Sequence, residues 1–135
     1  SSRVPLQATL RLNFAWSLLL TAAFGLLFTL APTLPRAIVL LAAVGYLVVS
    51  RIALRRNRFA VAVAIVTAAW FAIRWVPMVG MNAWMFATDH MLYRDSPATI
   101  LVVAIYAGLF ALPGFSLTLL YLLQLRKVRA VLAST

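Results

Sequence analysis

The chain contains no cysteine and no glutamate, a single histidine, His90, and only two acids, Asp89 and Asp95. Without cysteine there can be no disulfide, no thiolate metal site and no CxxC redox pair. No serine stands in a nucleophile setting, and HExxH, a carboxylate cluster and a glycine-rich phosphate loop are all missing, so the chain is not expected to be an enzyme. Charge as a whole is scarce at 10% of residues, against 65% hydrophobic and a mean hydropathy of +1.03. Such a balance does not describe a water-soluble domain; it describes an integral membrane protein, and 135 residues suit a single polytopic domain. The formal charge of +10 does not point to nucleic acid, because the arginines stand at the ends of apolar segments with no room for a folded basic domain.

What is present divides into four apolar segments, predicting an all-α, four-transmembrane-helix bundle with spans at about 12–31, 36–54, 59–76 and 97–125. About twenty residues at 1.5 Å each cross roughly 30 Å of hydrocarbon. The first segment comes after a basic, partly amphipathic lead-in and is expected to be retained as a span, since it carries no small-x-small cleavage pattern. Pro32 and Pro35 bound a tight turn, with Pro35 suited to the first position of the second helix. The third helix is expected to stop at Pro77, leaving residues 78–94 as an interfacial segment. Ser96 and Pro97 form a helix start, and Pro113-Gly114 falls inside the fourth segment as a kink.

Nine of the twelve basic residues, namely Arg3, Arg11, Arg51, Arg55, Arg56, Arg58, Arg126, Lys127 and Arg129, fall on one side of these spans. The positive-inside rule then predicts that both termini and the RIALRRNR turn are cytoplasmic and that residues 78–95 face outward, in a bacterial inner membrane. Arg51, Arg55, Arg56 and Arg58 are expected to snorkel toward lipid headgroups.

Several residue patterns are candidate sites. Ser17, Thr21 and Gly25 on the first helix, Ala60, Ala64, Ala68 and Ala72 on the third, and Ala104 with Gly108 on the fourth are small residues four apart. Stripes of this kind let membrane helices approach closely, either within the bundle or against a partner or a second copy. Arg74, between Trp70 and Trp75, reads as an interfacial anchor stacked on an indole, or as the partner of Asp89 or Asp95. Met78, Met81, Met85, His90 and Met91 gather soft ligands of the kind that hold Cu(I), although methionine and tryptophan on one face equally describe an interfacial helix. Asp89-His90 beside Tyr93 reads as a polar loop tip rather than a proton-transfer pair, because neighbouring residues on a helix point apart.

The functional expectation is a non-catalytic accessory, assembly or structural subunit of a larger inner-membrane complex, without a cofactor, bound to lipid and to a larger membrane protein or to itself. The alternatives are a small oligomeric transporter or channel, a periplasm-facing copper-handling protein, and an immunity-type membrane protein. Small multidrug transporters, which have this size and four helices, use a membrane-embedded glutamate near the first helix; this chain has none.

Overall fold

The structure is a computed structural model that describes residues 5–88 and 97–133. Those residues form α1 (Leu6–Leu30), α2 (Leu34–Ala53), α3 (Arg58–Ala87), α4 (Pro97–Tyr106), a π turn (Ala107–Ala111), α5 (Leu112–Leu123) and α6 (Leu125–Ala133), and among them there is no strand. Four stretches, Leu6–Leu30, Leu34–Ala53, Arg58–Ala87 and Ile100–Leu123, are long and apolar enough to cross a membrane. Their surfaces are inverted relative to a water-soluble protein. Leu34 and Ile73 are each 75% exposed, while Thr9, Asn13, Ser17 and Ser50 are fully buried. Lipid tails are as apolar as leucine, so bundles in lipid turn large aliphatic side chains outward and keep small and polar ones for helix contacts.

Side chains close the helix ends. The Thr33 hydroxyl accepts from the Arg36 amide at 3.3 Å and caps α2, which places Pro35 at the second helical residue rather than the first. The Arg36 guanidinium reaches back and donates to the Ala31 carbonyl at 2.9 Å, an acceptor that the end of α1 leaves free, and to the Leu27 carbonyl at 3.3 Å, which also accepts from the Ala31 amide at 3.1 Å. Between α2 and α3, Arg56 takes a left-handed conformation (φ 59°), a state that usually falls to glycine. Asn57 then caps α3, its Oδ1 accepting from Phe59 N at 3.0 Å and Ala60 N at 3.2 Å.

Three expected boundaries differ. The first helix starts at Leu6 rather than near residue 12, because the lead-in buries Leu6, Thr9 and Leu10 at helical spacing. The third helix does not end at Pro77: α3 runs without a break to Ala87, so residues 78–87 belong to it and not to a separate interfacial segment. Proline removes one hydrogen bond, which a long apolar helix tolerates. The fourth segment, by contrast, is interrupted. Pro113 cannot donate to Leu109, and the helix widens just before it, the Leu112 amide bonding to the Ala107 carbonyl five residues back. A further break at Gln124 separates α6. The expected cap at Ser96 lies outside the described residues.

The chain divides into two compact units, the first drawn from Ser1–Val66 and Leu120–Thr135, the second from Thr67–Leu119. In the first, α1 and α2 form an antiparallel hairpin. The Thr21 hydroxyl reaches the Ala43 carbonyl at 3.3 Å, Leu40 lies against Gly25, and Ala60, Val61 and Ala64 of α3 are buried. In the second, Gly114 is the point of closest approach. A Cβ built there would lie 2.9 Å from the Phe71 Cβ, 3.1 Å from the Ala72 nitrogen and 3.2 Å from the Ala68 oxygen. Two of those neighbours are backbone and cannot step aside. Gly114→Ala should therefore cost about 1–3 kcal/mol, whereas Gly108→Ala, with nothing within 4 Å, should be nearly neutral; thermal unfolding of the two purified variants in one detergent measures the difference.

Candidate functional site

α1 carries polar residues at four-residue spacing, Thr9, Asn13, Ser17 and Thr21, on the face that turns into the first unit. Each finds a partner there. The Asn13 amide donates to Ser50 Oγ at 3.0 Å, and the Tyr46 hydroxyl donates to Asn13 Oδ1 at 2.9 Å, which joins α1 to α2 at two points through one side chain. The Thr9 hydroxyl donates to Gln124 Oε1 at 2.9 Å, binding α1 to the junction of α5 and α6. Gln7 Nε2 donates to the Leu54 carbonyl at 3.1 Å and so pins the start of α1 to the end of α2. Trp16 packs edge-on against Tyr46, ring centroids 5.9 Å apart. The Tyr121 hydroxyl, also in this unit, is buried without a protein partner.

The same hydrogen bonds gather the charge. The start of α1, the end of α2, the start of α3 and α6 all lie at one end of the first unit, and their Arg11, Arg51, Arg55, Arg56, Arg58, Arg126 and Arg129 are exposed. Arg51 sits over the Phe14 ring at 6.0 Å and Arg58 over the Phe59 ring at 4.7 Å. Both are cation–π distances. α6 buries Val128 and Val131 and leaves its cations outward.

In the second unit an aromatic cluster surrounds the π turn. Phe71 stacks on Phe110 at 5.7 Å, and Trp75 tilts against both Phe110 at 4.9 Å and Tyr106 at 5.1 Å. Arg74 is exposed and its guanidinium lies 5.2 Å from the Trp75 ring centroid. Its other expected partners, Asp89 and Asp95, are outside the described residues, as are His90 and Met91. Met78, Met81 and Met85 lie on the last three turns of α3, with Met81 exposed and Met78 and Met85 half-buried. Among the described residues no three histidine, cysteine or acidic side chains gather as a metal site.

The small-residue stripes part company. Ser17, Thr21 and Gly25 lie in the α1–α2 hairpin; Ala60 and Ala64 are buried in the first unit, and Ala68 and Ala72 meet Gly114 in the second. Ala104 and Gly108 are exposed, and a Cβ at Gly108 would have nothing within 4 Å. In an unbroken helix Ala104, Gly108 and Ala111 would share a face. The π turn inserts an extra residue, rotating the helix beyond it by about 100°, so that Ala111 and Gly114 are buried instead.

Sequence reasoning named Ser17 and Thr21 but stopped short of Thr9, Asn13, Ser50, Tyr46 and Gln124 as one constellation. The signal for two of them was available: the four-residue polar repeat extends toward the N-terminus once the lead-in is counted as helix. Gln124 carries no such signal, since only folding brings it to Thr9, 115 residues away.

No family model, curated protein or solved structure matches this chain.

Asn13→Leu removes the shared partner of Ser50 and Tyr46. It should lower stability by about 1–3 kcal/mol as two buried groups lose a bond, while Tyr46→Phe alone should cost about 0.6 kcal/mol. A double-mutant cycle of the two in detergent, read out by unfolding, should return a coupling energy well above zero.

Proposed function

We propose that the chain is a non-catalytic accessory subunit of a larger membrane assembly, and that it meets its partner through the exposed face of α4 and the π turn that follows it. The observation that carries this reading is the small-residue pair Ala104 and Gly108: both are exposed, they lie one turn apart, and a Cβ at Gly108 would touch nothing. A bare glycine step on an apolar helix lets a second backbone come close, and membrane helices associate by such close packing. Ala42 and Gly45 on α2 present a second step of the same kind, also exposed and with open space at Gly45. The distribution of nine of twelve cations supports an orientation with both termini in the cytoplasm of a bacterial inner membrane.

A small oligomeric transporter or channel is the second reading. It is favoured by the π turn ahead of Pro113, a helix irregularity of the sort that recurs at functional sites. The two readings differ in what co-purifies. Tagged chain extracted in mild detergent should bring down a larger membrane protein on the first reading, and only further copies of itself on the second. Gly108→Ile should abolish the larger partner's recovery, by about ten-fold or more in mass-spectrometric signal, while circular dichroism and unfolding of the purified chain stay unchanged; full recovery of the partner would remove the α4 face from the proposal.

A further inference from the structure

The basic end of the first unit does more than label a side of the membrane. No acidic side chain lies among the described residues, so the exposed guanidinium groups at this end have no carboxylate to pair with there. Arg36, at the other end of α2, makes the contrast: its guanidinium is used on the carbonyls of Leu27 and Ala31. At the basic end, Arg51 lies over Phe14, and Arg11, one turn before Phe14 on α1, belongs to the same stretch of helix surface. Arg51 is thus held over a ring of α1 that has Arg11 one turn before it on the same helix. Arg55 comes one turn of chain after Arg51.

Below these cations the outward surface turns apolar without a break. From Arg11 it continues through Ala15, Leu18 and Leu19, and from Arg51 through Val48, Val44 and Leu41, all exposed. Charge at the top and aliphatic side chains beneath match one kind of ligand, a phosphate joined to acyl chains. A free anion would use only the cations, and an acidic peptide would leave the aliphatic face uncovered. We propose that Arg11 and Arg51, around the Phe14 ring and aided by Arg55, hold the phosphodiester of an anionic phospholipid whose acyl chains run down the outer faces of α1 and α2. The site rests on the membrane-spanning reading of these helices but is independent of any protein partner. Guanidinium suits it because its planar fork meets two phosphate oxygens at once, and the ring beneath keeps Arg51 in place without an acid.

The test uses the purified full chain in a neutral detergent, with native mass spectrometry and thermal unfolding as readouts and three probes: a phosphatidylglycerol, a phosphatidylcholine with the same acyl chains, and inorganic phosphate. The phosphatidylglycerol should be retained and should raise the melting temperature. The phosphatidylcholine should bind about ten-fold or more weakly, and phosphate alone should give no shift. The Arg11→Gln, Arg51→Gln double variant should lose the preference, while Arg36→Gln keeps it. Should the double variant fail to fold, salt supplies the reading on the natural chain, since retention of the anionic lipid must fall steeply toward molar ionic strength. Equal retention of the two lipids, a full shift with phosphate alone, a folded double variant that keeps the preference, or salt-independent retention would each overturn the site.

Discussion

Unit one depends on a pair of hydrogen bonds that a water-soluble protein could do without, those that set the Asn13 amide between Ser50 and Tyr46. In water, a bundle gains stability by hiding leucine. In lipid that gain disappears between helices, because a leucine against a tail is as well placed as a leucine against a leucine. What remains is close packing and the avoidance of unpaired polar groups. Asn13 offers both a donor and an acceptor, and α2 supplies the complement to each. The α1–α2 hairpin therefore has one register in which both are met, and the Thr9–Gln124 bond ties the α5–α6 junction to the same face.

The two internal prolines show how packing, rather than residue type, decides the outcome. Pro77 and Pro113 each remove one amide donor, yet α3 continues through Pro77 as regular helix while the chain widens into a π turn before Pro113. The turn has consequences for its neighbours. It brings Phe110 between Phe71 and Trp75, and it rotates Gly114 onto the Ala68–Ala72 stretch of α3, where a Cβ would lie only 2.9–3.2 Å from its neighbours and only a missing side chain fits. The same rotation leaves Ala104 and Gly108 outside. One helix irregularity thus separates the small residues that build the second unit from those available to another chain.

Charge and shape together make the functional reading more specific than hydropathy does. Cations concentrated at one end, drawn from α1, α2, α3 and α6, give the first unit a polar cap over an aliphatic wall. A surface so divided suits lipid along its sides and headgroups at its end, and the Ala42–Gly45 step on α2 interrupts the wall. Neither feature needs a reaction to explain it.

Four apolar helices, their approximate positions, and the crowding of arginine at one end were legible in the sequence, because hydropathy over twenty residues and the placement of charge are properties of the chain alone. So were the alanine and serine–threonine stripes, whose four-residue period is set by helix geometry. The extent of α1 and α3 was less legible: a lead-in with Arg3 and Arg11 reads as interfacial and Pro77 reads as a stop, and both are overridden once neighbouring elements bury Leu6, Thr9 and Leu10 or a long apolar helix absorbs one lost bond. Tertiary structure alone decided which polar residues meet, and which small residues are used within the fold. Thr9 reaches Gln124 and Asn13 reaches Ser50 and Tyr46 only because the helices pack in one rotation about their axes, and that rotation is set by the summed contacts of the bundle, which no local stretch of sequence contains.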